Sequence, residues 1–86
     1  MSHDVRITAC AARDLARLPE RTAAACVRFV FGPLADAPTE AGDGLRGEFE
    51  GLRSARRGSY RVVYAVRKND VVVHAIRAAH RAGAQG

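Results

Sequence analysis

The sequence predicts an α+β domain: an N-terminal strand, a helical hairpin, then a three-stranded antiparallel meander. Three observations predict it. Apolar residues recur at helical spacing only in the first 34 residues. Tyr60 to Val66 alternates at period two, and Val71 to Ile76 is rich in β-branched residues. Turn-forming residues, Gly58-Ser59 and Arg67-Lys68-Asn69-Asp70, separate these segments. The chain has 86 residues, enough for one core, so residues 1–86 are expected to form a single domain with 78–86 as a flexible tail.

Val5-Arg6-Ile7-Thr8 alternates and suits a short strand, after which Thr8 can cap a helix. In that helix Ala11, Leu15 and Leu18 form an apolar stripe, leaving Arg13, Asp14 and Arg17 on the wet side. Pro19 has the fixed φ that suits the start of a second helix. There Ala23, Val27, Val30 and Leu34 share a face that Cys26 and Phe31 widen, and Gly32-Pro33 marks the frayed end. The near-absence of a connection predicts an antiparallel pair. Residues 35–44 read as a surface loop. Leu45 to Arg56 is a less regular strand anchored by Phe49 and Leu52. In the next strand Tyr60, Val62, Tyr64 and Val66 face one way and Arg61, Val63 and Ala65 the other. His74 alternates with valines and reads as a structural residue on a sheet face. Helices on one face would leave the other open.

The formal charge is +5, and it is asymmetric: residues 1–45 carry −1 and residues 46–86 carry +6. A basic half on a near-neutral scaffold suits a polyanion such as RNA, DNA or the ribosome. The two cysteines, Cys10 and Cys26, lack zinc-ligand spacing, and no metal or other cofactor is expected. Two small buried thiols in a reduced, cytoplasmic chain without a signal peptide are the expectation, with a disulfide as the alternative. No apolar run approaches the roughly 20 residues of a membrane span.

The most chemically loaded segment is Ser54-Ala55-Arg56-Arg57-Gly58-Ser59-Tyr60-Arg61-Val62-Val63-Tyr64. Guanidinium groups stay charged at any working pH and offer planar donor forks to phosphate. Together with Ala12-Arg13-Asp14-Leu15, Leu18-Pro19, Leu45-Arg46-Gly47 and a final His80-Arg81, it resembles toxins of the RelE/ParE superfamily, in particular the RelE branch found in actinobacteria. The resemblance spans nearly the whole chain and implies the RelE-like, microbial-RNase type of fold. It further implies a metal-independent endoribonuclease that cuts messenger RNA in the ribosomal A site, inhibits translation, and is silenced by a cognate antitoxin of RelB-like or Phd-like kind. Arg61 matches the family's strand arginine on the phosphate, and Arg81 the arginine that serves the scissile or leaving group. Arg46, Arg53, Arg56 and Arg57 are expected to hold RNA or ribosomal phosphates.

The chain departs from relatives in two places. Leu52 and Ser54 stand near positions where enteric members carry lysines. Gln85 stands where many relatives have a terminal tyrosine proposed as general base; an amide cannot abstract a proton, so a weakened activity is expected. His80 is the favoured replacement base, with Glu48 and Glu50 as alternatives. Tyr60 and Tyr64 lie on the strand face opposite Arg61 and belong to the core. Two further functions stand beside the nuclease: a ParE-like toxin that inhibits DNA gyrase, and a catalytically weakened toxin that mainly binds its antitoxin.

Overall fold

The computed structural model describes residues 3–78. Among them the chain runs β1 (Asp4–Ile7), α1 (Ala9–Ala16), α2 (Glu20–Phe29), α3 (Pro38–Ala41), β2 (Asp43–Gly44), β3 (Arg53–Arg57), β4 (Tyr60–Val66) and β5 (Asp70–Ala78). The strands form one sheet in the order β1-β5-β4-β3-β2. β1 lies parallel to β5, and the other pairs are antiparallel. The predicted meander is β3-β4-β5; β1 and the two-residue β2 extend it at either side. No helix among the described residues is long and apolar enough to cross a membrane.

All helices pack on one face. Ala11, Cys26, Phe29, Val30 and Leu34 meet Ala55, Tyr60, Val62, Tyr64, Val71, Val73 and Ile76 in a continuous core. Phe29 tilts against Tyr60 with ring centroids 6.3 Å apart. The Tyr64 hydroxyl donates to the carbonyl of Pro38 at 2.6 Å inside this core.

α1 begins as expected: Thr8 is its N-cap, accepting from Ala11 N at 3.1 Å. Its position has a second cause. β1 covers β5 only along Asp70 to Val73, which leaves the rest of that strand edge with bare polar groups. Thr8 donates from its hydroxyl to His74 O at 3.3 Å, and the Asp14 carboxylate accepts from Ile76 N at 3.0 Å. Asp14, expected on the wet side, is therefore the group that closes the edge of β5.

α2 departs from the predicted pattern. Its buried stripe is Cys26, Phe29, Val30 and Leu34, whereas Val27 and Phe31 are 39% and 55% exposed. The helix does not fray at Gly32-Pro33. A π-helical stretch, Val30–Leu34, carries Pro33 inside it; the wider turn accommodates a residue that lacks an N–H and crowds the preceding carbonyls. Residues 35–44, predicted as loop, contain α3 and β2. Gly42 lies so close to β3 that an added Cβ would run into the backbone carbonyl of Ser54.

β3 and β4 join through Gly58-Ser59, as predicted, with Gly58 at φ +54°, a conformation that favours glycine. Between β4 and β5 the register shifts. Val63 pairs with Ala75 but Tyr64 with Val73, so His74 is the extra residue of a bulge.

Cys10 is exposed and Cys26 buried, both as free thiols; only one of the two expected buried thiols is inside. Burial pushes the Cys26 thiol from 9.0 up to about 11. Burial also raises Tyr60 and Tyr64 above the ordinary tyrosine value. All three hold their protons more tightly in the folded chain than in the unfolded one. Their contribution to stability is therefore complete below about pH 9 and is lost as pH climbs through the raised values. Thermal melts at rising pH should show a Tm plateau that falls above that point; a Tm that climbs there would contradict the burial. Iodoacetamide at pH 8 should alkylate Cys10 and leave Cys26 intact until the chain unfolds. Gly42→Ala should lower stability by about 1–3 kcal/mol in urea melts through backbone overpacking, whereas an unchanged midpoint would mean that the 39–44 segment has room to move.

Candidate nucleic-acid interface

Ala55, Val62 and Ile76 pair in register across β3, β4 and β5 and are all buried. The next rung is Arg56, Arg61 and Arg77, again direct cross-strand partners. Side chains alternate faces along a strand, so this rung points to the face without helices, where all three residues are exposed. Strands lie about 5 Å apart, so the three Cα atoms fall within about 10 Å. None of these guanidinium groups has an ion pair or hydrogen bond among the described residues, in contrast to Arg6, which pairs with Asp70 at 3.0 Å. Like charges directly opposite in a sheet are destabilising, by roughly 0.2–1 kcal/mol a pair. The row is a cost to the isolated fold, and a polyanion lying across it removes that cost.

The residues predicted for this site divide. Arg61 and Arg56 lie in the row. Arg77, the partner of Arg61 on β5, completes it. Arg46 is exposed beside a short 3₁₀ turn, Gly47–Phe49, in the segment leading to β3. Arg53 and Arg57, expected among the phosphate contacts, belong to the opposite face, because they are two residues either side of buried Ala55. Arg53 donates through Nη2 to Thr39 O at 2.7 Å and Gly42 O at 2.8 Å, tying α3 and β2 to β3. Arg57 stacks over the Phe29 ring at 4.6 Å. His80, Arg81 and Gln85 lie outside the described residues.

Beside the row is an open groove of about 490 Å³, lined by Leu45, Phe49, Leu52, Arg61, Val63, His74, Ala75 and Arg77. Its wall is the 45–52 segment, closed by Leu45 N donating to Leu52 O at 2.9 Å. Phe49, expected to anchor a strand, is 54% exposed. His74, read from the sequence as structural, lines this groove: it follows buried Val73 and so belongs to the helix-free face. Glu48 and Glu50 are exposed on the same segment. Among the described residues no three His, Cys, Asp or Glu side chains gather into a metal-binding cluster.

Fold and surface together define a small basic domain that presents clustered, unpaired arginines on the free face of a helix-backed sheet. The family model describing the ParE toxin of the type II toxin–antitoxin system parDE matches residues 5–84. The chain belongs to that family and is a toxin of the type II toxin–antitoxin kind. It is 58% identical to toxin RelE of Mycobacterium tuberculosis over 79 residues, 92% of this chain and 81% of the relative. It is 45% identical to toxin RelG of the same organism over 82 residues, 95% of this chain and 94% of the relative. The crystal structure of the RelBE2 toxin–antitoxin complex from that bacterium matches at a TM-score of 0.89 with 41% identity, covering 91% of this chain and 99% of the matched one.

The two classes of arginine should separate by stability. Arg53→Ala should cost about 1–3 kcal/mol, since it leaves two carbonyls without their donor. Arg56→Ala should leave the urea midpoint unchanged or raise it. Equal losses at both positions would place Arg56 in the framework and not in the row.

Proposed function

We propose that this toxin is a ribosome-dependent endoribonuclease that cleaves messenger RNA and so arrests translation in the cytoplasm. The observation that carries the reading is the unpaired Arg56-Arg61-Arg77 row on the open face. It is supported by the resemblance to RelE-type toxins and by the identity to relatives bearing that name.

In this reading the ribose 2′-oxygen attacks the adjacent phosphorus and the bond to the 5′-oxygen breaks. The 2′-hydroxyl proton passes to an imidazole, and the departing 5′-oxygen takes up a proton from water. The products are a 2′,3′-cyclic phosphate and a free 5′-hydroxyl. Arg61 and Arg77, with Arg81, meet the charge that grows on the phosphorane, which is where fixed donors lower a barrier most. Arg56 and Arg46 hold flanking phosphates. His80 keeps the role of base, and His74, which lines the groove, is a further imidazole candidate. The reaction needs no cofactor. A cognate antitoxin, RelB-like or Phd-like, completes the system, as the toxin–antitoxin complexes among the structural neighbours support. An acidic, partly disordered partner would fold over the arginines and remove their repulsion.

Programmed ribosomes test the reading. Wild type should cut the message in the A site and leave cyclic phosphate ends. Arg61→Ala should lower the cleavage rate by about a hundredfold or more with an unchanged or raised Tm. Of His80→Gln and His74→Gln, the one that abolishes the acidic limb of the pH–rate profile identifies the base. Trapped gyrase–DNA complexes without message cutting would transfer the function to DNA, and neither activity would leave antitoxin binding alone.

A further inference from the structure

We propose that the groove of Leu45, Phe49, Leu52, Val63 and His74 is a nucleobase slot, in which Phe49 stacks on a base next to the phosphate held by the arginine row. This rests on the nuclease reading and adds to it the part of the substrate that the arginines do not hold.

Phe49 is one of two large aromatic side chains that the described fold leaves outside its core: Phe29 is 5% exposed, Tyr60 5% and Tyr64 0%, against 54% for Phe49. The other is Phe31, in the π-helical stretch Val30–Leu34, on the helix-backed side of the sheet and away from the row. Two of the three row arginines, Arg61 and Arg77, also line the groove. One wall of the cavity is therefore cationic while the rest is aliphatic and aromatic. A nucleotide has the matching composition, an anionic phosphate joined by a short sugar to a flat, weakly polar ring. Cationic grooves with exposed aromatics are how single strands are held without sequence reading, through stacking on any base's π-face. His74 lies within the same lining and adds a hydrogen-bonding group for a base edge. An acidic peptide would satisfy the arginines, but it does not call for a flat aromatic wall.

The experiment uses the full chain and ribosomes programmed with messages that carry an abasic residue at each A-site position in turn. Wild type should lose about tenfold or more in cleavage at one of these positions. Phe49→Ala should lose a similar factor on the natural message and become indifferent to that abasic residue. Phe49→Trp should restore cleavage. The chain contains no tryptophan, so this variant also carries a single fluorophore whose emission should be quenched when the ribosome holds a base there, and not when the site is abasic. Full activity of Phe49→Ala, or an abasic penalty that persists in it, overturns the slot while leaving the nuclease reading intact. Quenching of Phe49→Trp by an acidic peptide and not by the base-containing message overturns it in favour of a protein ligand. No cutting of the natural message by wild type removes the nuclease reading, and the slot with it.

Discussion

The buried rung of Ala55, Val62 and Ile76 fixes everything that follows. Strand side chains have a period of two, so a slip of one residue would carry the whole arginine row under the helices. Burial of these three residues makes that slip prohibitive: guanidinium groups would replace methyl groups against Phe29 and Cys26. The register is reinforced at the hairpin by Gly58 and at the far end by the Tyr64 hydroxyl on Pro38. A hydrophobic contact on one side of the sheet thus sets the electrostatics of the other.

That arrangement divides the arginines of β3 between two tasks. Arg53 and Arg57 share the face of Ala55 and serve the fold, one by tying the 39–42 backbone and one by covering Phe29. Arg56 lies between them on the opposite face and serves the surface. Arg61 and Arg77 join it because β4 and β5 are in register at that rung. Positive charge is concentrated where nothing in the described chain neutralises it, and the isolated domain carries the repulsion until a polyanion or an acidic partner arrives.

Much of the fold was legible because its signals are local. The alternation from Tyr60 to Val66, the capping Thr8 and the Gly58-Ser59 turn each state their geometry within a few residues. The errors arose where geometry depends on distant partners. Val27 and Phe31 fit a helical stripe on paper, but docking on Tyr60 selects Cys26, Phe29 and Val30. Pro33 reads as a helix end unless a π turn absorbs it. Asp14 reads as solvated until the bare edge of β5 is considered.

The site was legible in part for the same reason. Arg61 stood out in the sequence, and alternation alone places it opposite the tyrosines. The separation of Arg56 from Arg53 and Arg57 needed the face of Ala55. The inclusion of Arg77 needed the β5 register and its bulge, and that of His74 needed the groove wall built by residues 45–52, neither of which a local pattern announces. The most direct test is a structure of the chain bound to a ribosome whose message carries a 2′-deoxy residue at the cut site. The account predicts the uncleaved linkage on the helix-free face, with its phosphate within hydrogen-bonding distance of Arg61 and Arg77. RNA lying against α2, with the arginine row turned to solvent, would contradict it.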